Sequence, residues 1–464
     1  MEQDLAFYIV RSQDIYMAPL CLGILYLLNR GMLNKYKKSP IQKYILPALT
    51  LRFVGAIVYT LIIGYYYGFG DSHNYYQGVI DMHNAVTDDP SYLTDIYTKL
   101  KVETTDRLYA YFFYDGYGFT RYYMLEVRNY NVARFGLPFS LIFNKSFLCI
   151  SFCISYFSFL GSWRIFKMFY EMYPHLHKKI AYATLFLPSI LFWGVSLLKD
   201  PICVGAMGFF IYAAYSAFIK REKIISSLIA IYLSGLLLNY FKPYILICLS
   251  AVFVLWVFLK FRDKIKDRTL RTVSTSFFIL VAVGSGFLIS QGLAQSEATA
   301  QFSSEKILQT IEGQQSTFSR NTEGAEGGGS NFSVGNTSSP IQMALSLPLG
   351  VINTYFRPFL WEVRSPVAII SALESFAFLV LTYLCFRKLG VGKSLNMIFS
   401  DPVIAFCFVF ALMFGGIIGV TTTNFGALVR YKIPSIPFYA MAFILVMDKS
   451  GKFSPNYIFS KKLF

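Results

Sequence analysis

The run Gly70-Asp71-Ser72-His73-Asn74-Tyr75-Tyr76 brings a carboxylate, an imidazole and two phenol rings together directly after an apolar stretch. A carboxylate there can take a proton from a hydroxyl as a general base, or bind a metal or a hydroxyl donor. Its neighbouring rings can stack on a sugar or hold a lipid headgroup. Asp71 is the candidate base, His73 the alternative base, and Tyr75 and Tyr76 the candidate lining. The plainer reading is a helix-capping Asp beside ordinary interfacial tyrosines. Further charged groups interrupt apolar sequence downstream: Lys199-Asp200-Pro201, Lys242-Pro243, Arg357-Pro358 with Trp361-Glu362 and Arg364, and Asn424 with Arg430-Tyr431-Lys432. Lys199, Asp200, Lys242, Arg357, Glu362 and Arg430 are therefore candidate binding residues. Their cations outnumber their anions, which suits a phosphate or pyrophosphate, and Arg offers such a group a two-pronged fork.

The elements that must position these residues are apolar helices. Of the 464 residues 55% are hydrophobic and 15% charged, and mean hydropathy is +0.48. Soluble chains carry about 45–50% apolar and about 25% charged residues. A soluble enzyme, a secreted scaffold and a disordered regulator are excluded. Runs of about 20 apolar residues, the length of a membrane span, recur near 8–28, 45–68, 135–160, 180–198, 201–219, 224–240, 243–260, 273–293, 366–386, 402–421 and 430–447. The pattern predicts an all-α polytopic membrane protein with about eleven transmembrane helices, ten to twelve. Ile341–Phe356, broken by Pro348, reads as a re-entrant or interfacial segment.

Basic residues cluster in every second connection: Arg30 to Lys43, Arg164 to Lys179, Lys220 to Lys223, Lys260 to Arg271, Arg387 to Lys393, and the tail from Lys449. Short basic loops stay cytoplasmic, so the expectation is an outside N-terminus and a cytoplasmic C-terminus. The net charge of +16 is then mostly a topology signal, and nucleic acid is not an expected partner. Glu2 and Asp4 precede the first span where a cleavable signal would be basic. The expected division is a two-helix unit at 1–68, a first extracytoplasmic loop at 69–134 and central helices at 135–293. A second extracytoplasmic loop follows at 294–365, with a flexible Gly/Ser stretch at 322–339 after a polar helical segment at Gln295–Gln309. C-terminal helices and a cytoplasmic tail occupy 366–464.

Cys21, Cys149, Cys153, Cys203, Cys248, Cys385 and Cys407 all lie in apolar runs, which argues against a disulfide framework or a zinc site. His175 and His177 form a His-x-His with only Glu171 nearby, a poor metal site. No metal site is expected, no cofactor is certain, and a divalent ion stays an open requirement. There is no phosphate-binding Gly-rich loop and no Gly-x-Ser-x-Gly. Arg52, well inside the second run, either pairs with an acid or snorkels to the interface.

The arrangement resembles the GT-C superfamily of membrane glycosyltransferases and the related bacterial polysaccharide (O-antigen-type) polymerases. Gly70-Asp71-Ser72…Tyr75-Tyr76 is similar to their acidic first-loop motif, although here it follows the second span and not the first. Trp193-Gly194-Val195-Ser196-Leu197-Leu198-Lys199-Asp200-Pro201 looks like the segment opening a mid-chain helix in such proteins. Asn424-Phe425-Gly426…Arg430-Tyr431-Lys432-Ile433-Pro434…Pro437 looks like the Arg-Tyr-basic-x-Pro stretch of their last helices. Phe356-Arg357-Pro358-Phe359-Leu360-Trp361-Glu362 reads like a motif of related bacterial proteins. The resemblance implies a polyprenyl-phosphate- or pyrophosphate-linked sugar or oligosaccharide donor and a glycan or lipid acceptor. It also implies transfer on the outer face of a bacterial inner membrane, among membrane lipids. A flippase or exporter of lipid-linked glycans or another anionic lipid, and a structural envelope subunit, are the alternatives. The sequons at Asn331 and Asn336 would matter only in a eukaryotic secretory membrane.

Overall fold

The computed structural model describes residues 9–68, 70–112, 119–262, 340–363, 366–422 and 424–451, with scattered positions between 265 and 277. The expected span at 273–293, the segment Gln295–Gln309, the Gly/Ser stretch 322–339, Arg364 and most of the tail lie outside the described residues. All regular structure among the described residues is helical. Among the described residues, eight helices are long and apolar enough to cross a membrane, nine if one bent pair is a single span. The chain is an all-α polytopic membrane protein.

Helix starts follow local chemistry. Pro188, Pro243, Pro366 and Pro402 each open a helix, where a missing N–H removes no intrahelical bond. Ser146 and Asp401 cap theirs, accepting from the backbone N–H of Cys149 and of Val403. The chain divides into two compact units. One is Met1–His177 with Ile190–Tyr212 and Ala230–Lys242; the other is Lys178–Ser189 with Ala213–Ile229 and Pro243–Phe464.

In the first unit, α1 (Asp14–Lys35) and α2 (Ile45–Leu61, continued as a π-helical turn over Ile62–Tyr67) pack on a central helix. Gly68, at φ +71°, takes a left-handed turn that a side chain would strain, and the chain re-enters as α3 (Asp71–Asp88). After α4 (Tyr92–Thr98) and α5 (Phe119–Met124), α6 (Val127–Ile142) packs along α3. The expected loop at 69–134 is thus largely folded helix. Its helices are too polar to read as spans, yet they bury one face, including Tyr75, Val79, Met82 and Tyr130.

The central helix is α7 (Phe147–Met172). The expected span at 135–160 straddles the α6–α7 break. Asn144 and Lys145 turn there at φ 46° and 60°, and no run of charge marks the turn in the sequence. The expected span at 180–198 is broken as well, into α8 (His177–Leu185), α9 (Pro188–Trp193) and a non-helical stretch Gly194–Leu198. Within the first unit that stretch is tied down by polar side chains. The Gly194 carbonyl accepts from Arg52 at 2.9 Å and from Ser158 at 2.8 Å, and the Ser196 N–H donates to Ser155 at 3.1 Å. Irregular backbone at membrane depth needs such partners. Arg52 also donates to Ser158 and Ser162, both at 2.7 Å, and is 1% exposed. It does not snorkel, and among the described residues it pairs with no acid; serine hydroxyls and a carbonyl hold it.

The chain continues as α10 (Lys199–Ala214, with a π-helical turn over Tyr215–Lys220), α11 (Ile224–Phe241) and α12 (Pro243–Phe261). The second unit is built around α13 (Pro340–Phe356), α14 (Pro366–Leu389), α15 (Val391–Ser400), α16 (Pro402–Thr421), α17 (Phe425–Tyr431) and α18 (Ile436–Lys449). The last two are bent by 63°. The expected re-entrant piece is one continuous helix, α13, lying close against α16. A Cβ on Gly419 would sit 1.9 Å from the Gly350 carbonyl oxygen, so glycine alone permits this backbone approach. Gly419→Val should push the two helices apart and cost about 1–3 kcal/mol or more. Thermal unfolding of the purified protein in detergent reads that loss, and an unchanged midpoint would refute the close approach.

Candidate functional site

Asp71 opens α3, in the first turn where the helix dipole favours an anion. Its Oδ1 accepts from the Tyr123 hydroxyl at 3.0 Å. Tyr123 packs on Tyr75, ring centroids 5.4 Å apart, and the Tyr123 carbonyl accepts from Asn129 at 3.0 Å. Lys199, at the start of α10, places its ammonium 5.8 Å from the Tyr75 centroid. The charges acting on that ammonium are Glu126, Arg128, Asp71 and Lys242. One base candidate, one cation and two packed tyrosines thus converge inside the first unit.

Beside them lies a buried ion pair. Lys242, 5% exposed, bonds to Asp200, 1% exposed. A cavity of about 310 Å3 in the same unit is lined by Tyr97, Asn131, Arg134, Tyr240 and Phe241 among others. Arg134 is fixed there by the carbonyls of Ile96 and Lys99 and by Asn131. Its walls therefore offer aromatic faces and amides, with the arginine already engaged.

His73 lies in the first turn of α3, and burial holds its imidazole below the ordinary histidine range. It is consequently neutral near pH 7. His83 on the same helix shares a hydrogen bond with Ser140 at 2.9 Å. Burial and Lys145 lower it, and the Ser140 contact opposes them without cancelling them. A histidine lowered on folding contributes stability that is whole above its unfolded value of about 6.5 and is lost as pH falls through the folded value. The protein should therefore lose stability in detergent as pH falls below about 6.5, and His83→Gln should flatten that slope. An identical slope in the variant would remove His83 from the account.

Tyr76 goes elsewhere. Its hydroxyl donates to the Lys145 carbonyl at 2.5 Å and its ring meets Phe147 edge-on, so it braces the α6–α7 turn rather than facing Tyr75 and Asp71. His177 is engaged by the Tyr44 hydroxyl at 2.7 Å.

The second unit holds its own polar group. Arg357 grips Glu362 through Nε, at 3.1 Å to both carboxylate oxygens, and through a further Nη2 bond, with its guanidinium 4.9 Å from the Phe425 centroid. Burial raises Glu362, but Arg357 and the Phe359 N–H outweigh it and hold the carboxyl below its ordinary range. Asn424 is a helix cap, accepting from Ala427 N–H at 3.2 Å. Arg430 lies 5.7 Å from the Tyr431 centroid. Its neighbour Lys432, fully buried at the bend between α17 and α18, donates to Ser375 at 2.9 Å. Glu374 accepts from the Ser189 N–H and hydroxyl at 3.0 and 2.6 Å.

Tyr123, Glu126, Arg128 and Asn129 were not among the expected site residues. They fall in a polar stretch with no motif, and only the packing of α3 against α5 and α6 brings them to the Asp71 and Lys199 region. Among the described residues no three His, Cys, Asp or Glu side chains gather as a metal site. Comparison with protein-family models, curated proteins and solved structures finds no match.

Proposed function

We propose that the protein is an integral membrane glycosyltransferase or polysaccharide polymerase. It takes sugar from a polyprenyl-phosphate or -pyrophosphate donor on the outer face of the membrane and passes it to a glycan or lipid acceptor. The observation carrying this reading is the convergence of Asp71, Tyr123, Tyr75 and Lys199 at the start of α3 and α10. Asp71 takes the proton from the acceptor hydroxyl. Lys199 meets the leaving phosphate as its charge develops; Lys242 is already engaged by Asp200 and is the weaker candidate. Arg357 and Arg430 are candidates for phosphate contacts within the second unit. The donor enters from the lipid phase, and the 310 Å3 cavity supplies the aromatic and amide surface that suits a sugar ring.

The test is chemical. Purified protein in lipid nanodiscs is given a panel of polyprenyl-linked sugars with glycan acceptors, and mass spectrometry follows release of polyprenyl phosphate or pyrophosphate. Release with glycosidic product supports the reading. A second reading is a flippase of lipid-linked glycans, favoured by the 63° break at Lys432, since broken helices line the substrate sites of many transporters. Leaflet exchange of the same lipids with no bond broken would establish it in place of the first.

A further inference from the structure

The second unit encloses another cavity, far from any motif in the sequence and unused by the reaction above. It measures about 430 Å3 and lies where α12 ends beside the π-helical turn Tyr215–Lys220. Its walls include Phe218, Phe253, Val257, Phe258 and Phe261, and Arg262, just past the helix, is the one charged side chain lining it among the described residues. Tyr215 stacks on Trp256 with centroids 6.1 Å apart, and Phe218 meets Phe253 at the same separation. The two elements are thus held by rings that leave a space between them.

The surroundings of this cavity are cationic. The Arg221 guanidinium sits 5.2 Å from the Phe261 centroid, and Lys223, Lys260 and Lys266 are exposed in the adjoining turns. Among the described residues two acids stand with them: Glu222 is taken by Lys220 at 2.8 Å, and Asp267 accepts the Leu270 N–H at 2.6 Å. Positive charge therefore dominates at the end of two spanning helices, the level at which lipid phosphates lie.

We propose that this is a binding site for an anionic phospholipid, with one acyl chain in the phenylalanine-lined cavity and the phosphate on Arg262 and Arg221. Apart from Arg262 at its edge the lining is apolar, which gives water few partners, and a hydrocarbon chain satisfies its walls. The forked guanidinium groups match phosphate oxygens. A zwitterionic lipid would bring a second cation into an already cationic ring, so the site selects for net negative charge. This inference stands apart from the reading of Asp71, since the two lie in different units.

The experiment uses the full-length protein, delipidated in detergent, with native mass spectrometry counting retained phosphatidylglycerol against phosphatidylcholine of identical chains. Wild type should retain phosphatidylglycerol selectively, and Arg221→Gln with Arg262→Gln should weaken that retention roughly tenfold or more while leaving phosphatidylcholine unchanged. Val257→Trp, which fills the cavity and keeps every charge, should displace the tightest-bound phosphatidylglycerol. Equal retention of the two lipids by wild type would overturn the proposal and assign the cavity to ordinary chain solvation. So would selectivity that survives either the arginine pair or the filled cavity.

Discussion

Asp71→Asn is expected to lower turnover by roughly 10²–10⁴-fold, the range lost with a positioned general base. The change is close to isosteric. An amide oxygen still accepts the Tyr123 hydroxyl, which Asp71 now takes at 3.0 Å, so α3 and its packing on α6 stay as they are. Donor affinity should hardly move, because Lys199 remains to meet the phosphate. The loss therefore falls on kcat and spares KM, the pattern of a group that acts in the transition state. His73→Gln is the matched control for the alternative base, and with Asp71 as the base its removal should cost far less. Wild-type turnover in Asp71→Asn would remove the base assignment, and a larger loss in His73→Gln would transfer it.

The second large effect concerns stability. Asp200 and Lys242 form an ion pair that is almost wholly buried. Removing one partner leaves the other as an isolated charge in low dielectric, which costs about 3–5 kcal/mol. Asp200→Asn and Lys242→Met should each therefore lower the unfolding midpoint sharply. The double variant Asp200→Leu with Lys242→Met buries no charge and should recover most of the loss, because a packed apolar pair is often as stable as the bridge it replaces. Its activity then separates two roles. A stable double variant that still turns over makes the pair structural; one that folds and is inactive places the pair in the binding of substrate. Additive losses in the two single variants and the double would contradict the pairing itself.

The fold class was legible because composition and the length of the apolar runs are one-dimensional quantities. Spans at 201–219, 224–240, 243–260 and 402–421 match helices at Lys199–Lys220, Ile224–Phe241, Pro243–Phe261 and Pro402–Thr421 to within two residues. What failed was the assumption that apolar sequence means continuous helix. Phe143–Ser146, with the single charge of Lys145, and Gly194–Leu198, with none, sit inside longer apolar runs, and the chain turns there at Asn144, Lys145 and Ser196, all at positive φ. The site was legible in part. Asp71, Tyr75 and Lys199 stand out as polar groups at the ends of apolar runs. Tyr123 and Asn129 reach them through helix pairing, which spacing along the chain does not encode. Arg430 drew notice for its motif, yet Lys432, two residues on, is the one that is fully buried and hydrogen-bonded.

The serine-held Arg52 also bears on how the protein is made. Its hydroxyl partners on α7 lie 106 and 110 residues further along the chain. At about 5–20 residues per second a ribosome needs on the order of 5–20 s to reach them. During that interval α2 carries an arginine whose transfer into lipid costs about 2.5–3.5 kcal/mol. The helix must then linger at the protein-lined insertion site until α7 arrives, so that membrane entry is ordered by a bond between two helices and not by the hydropathy of each. Crosslinking of stalled chains to the insertion machinery, before and after residue 162 is made, reads this dwell directly; departure of α2 before α7 exists would abolish it.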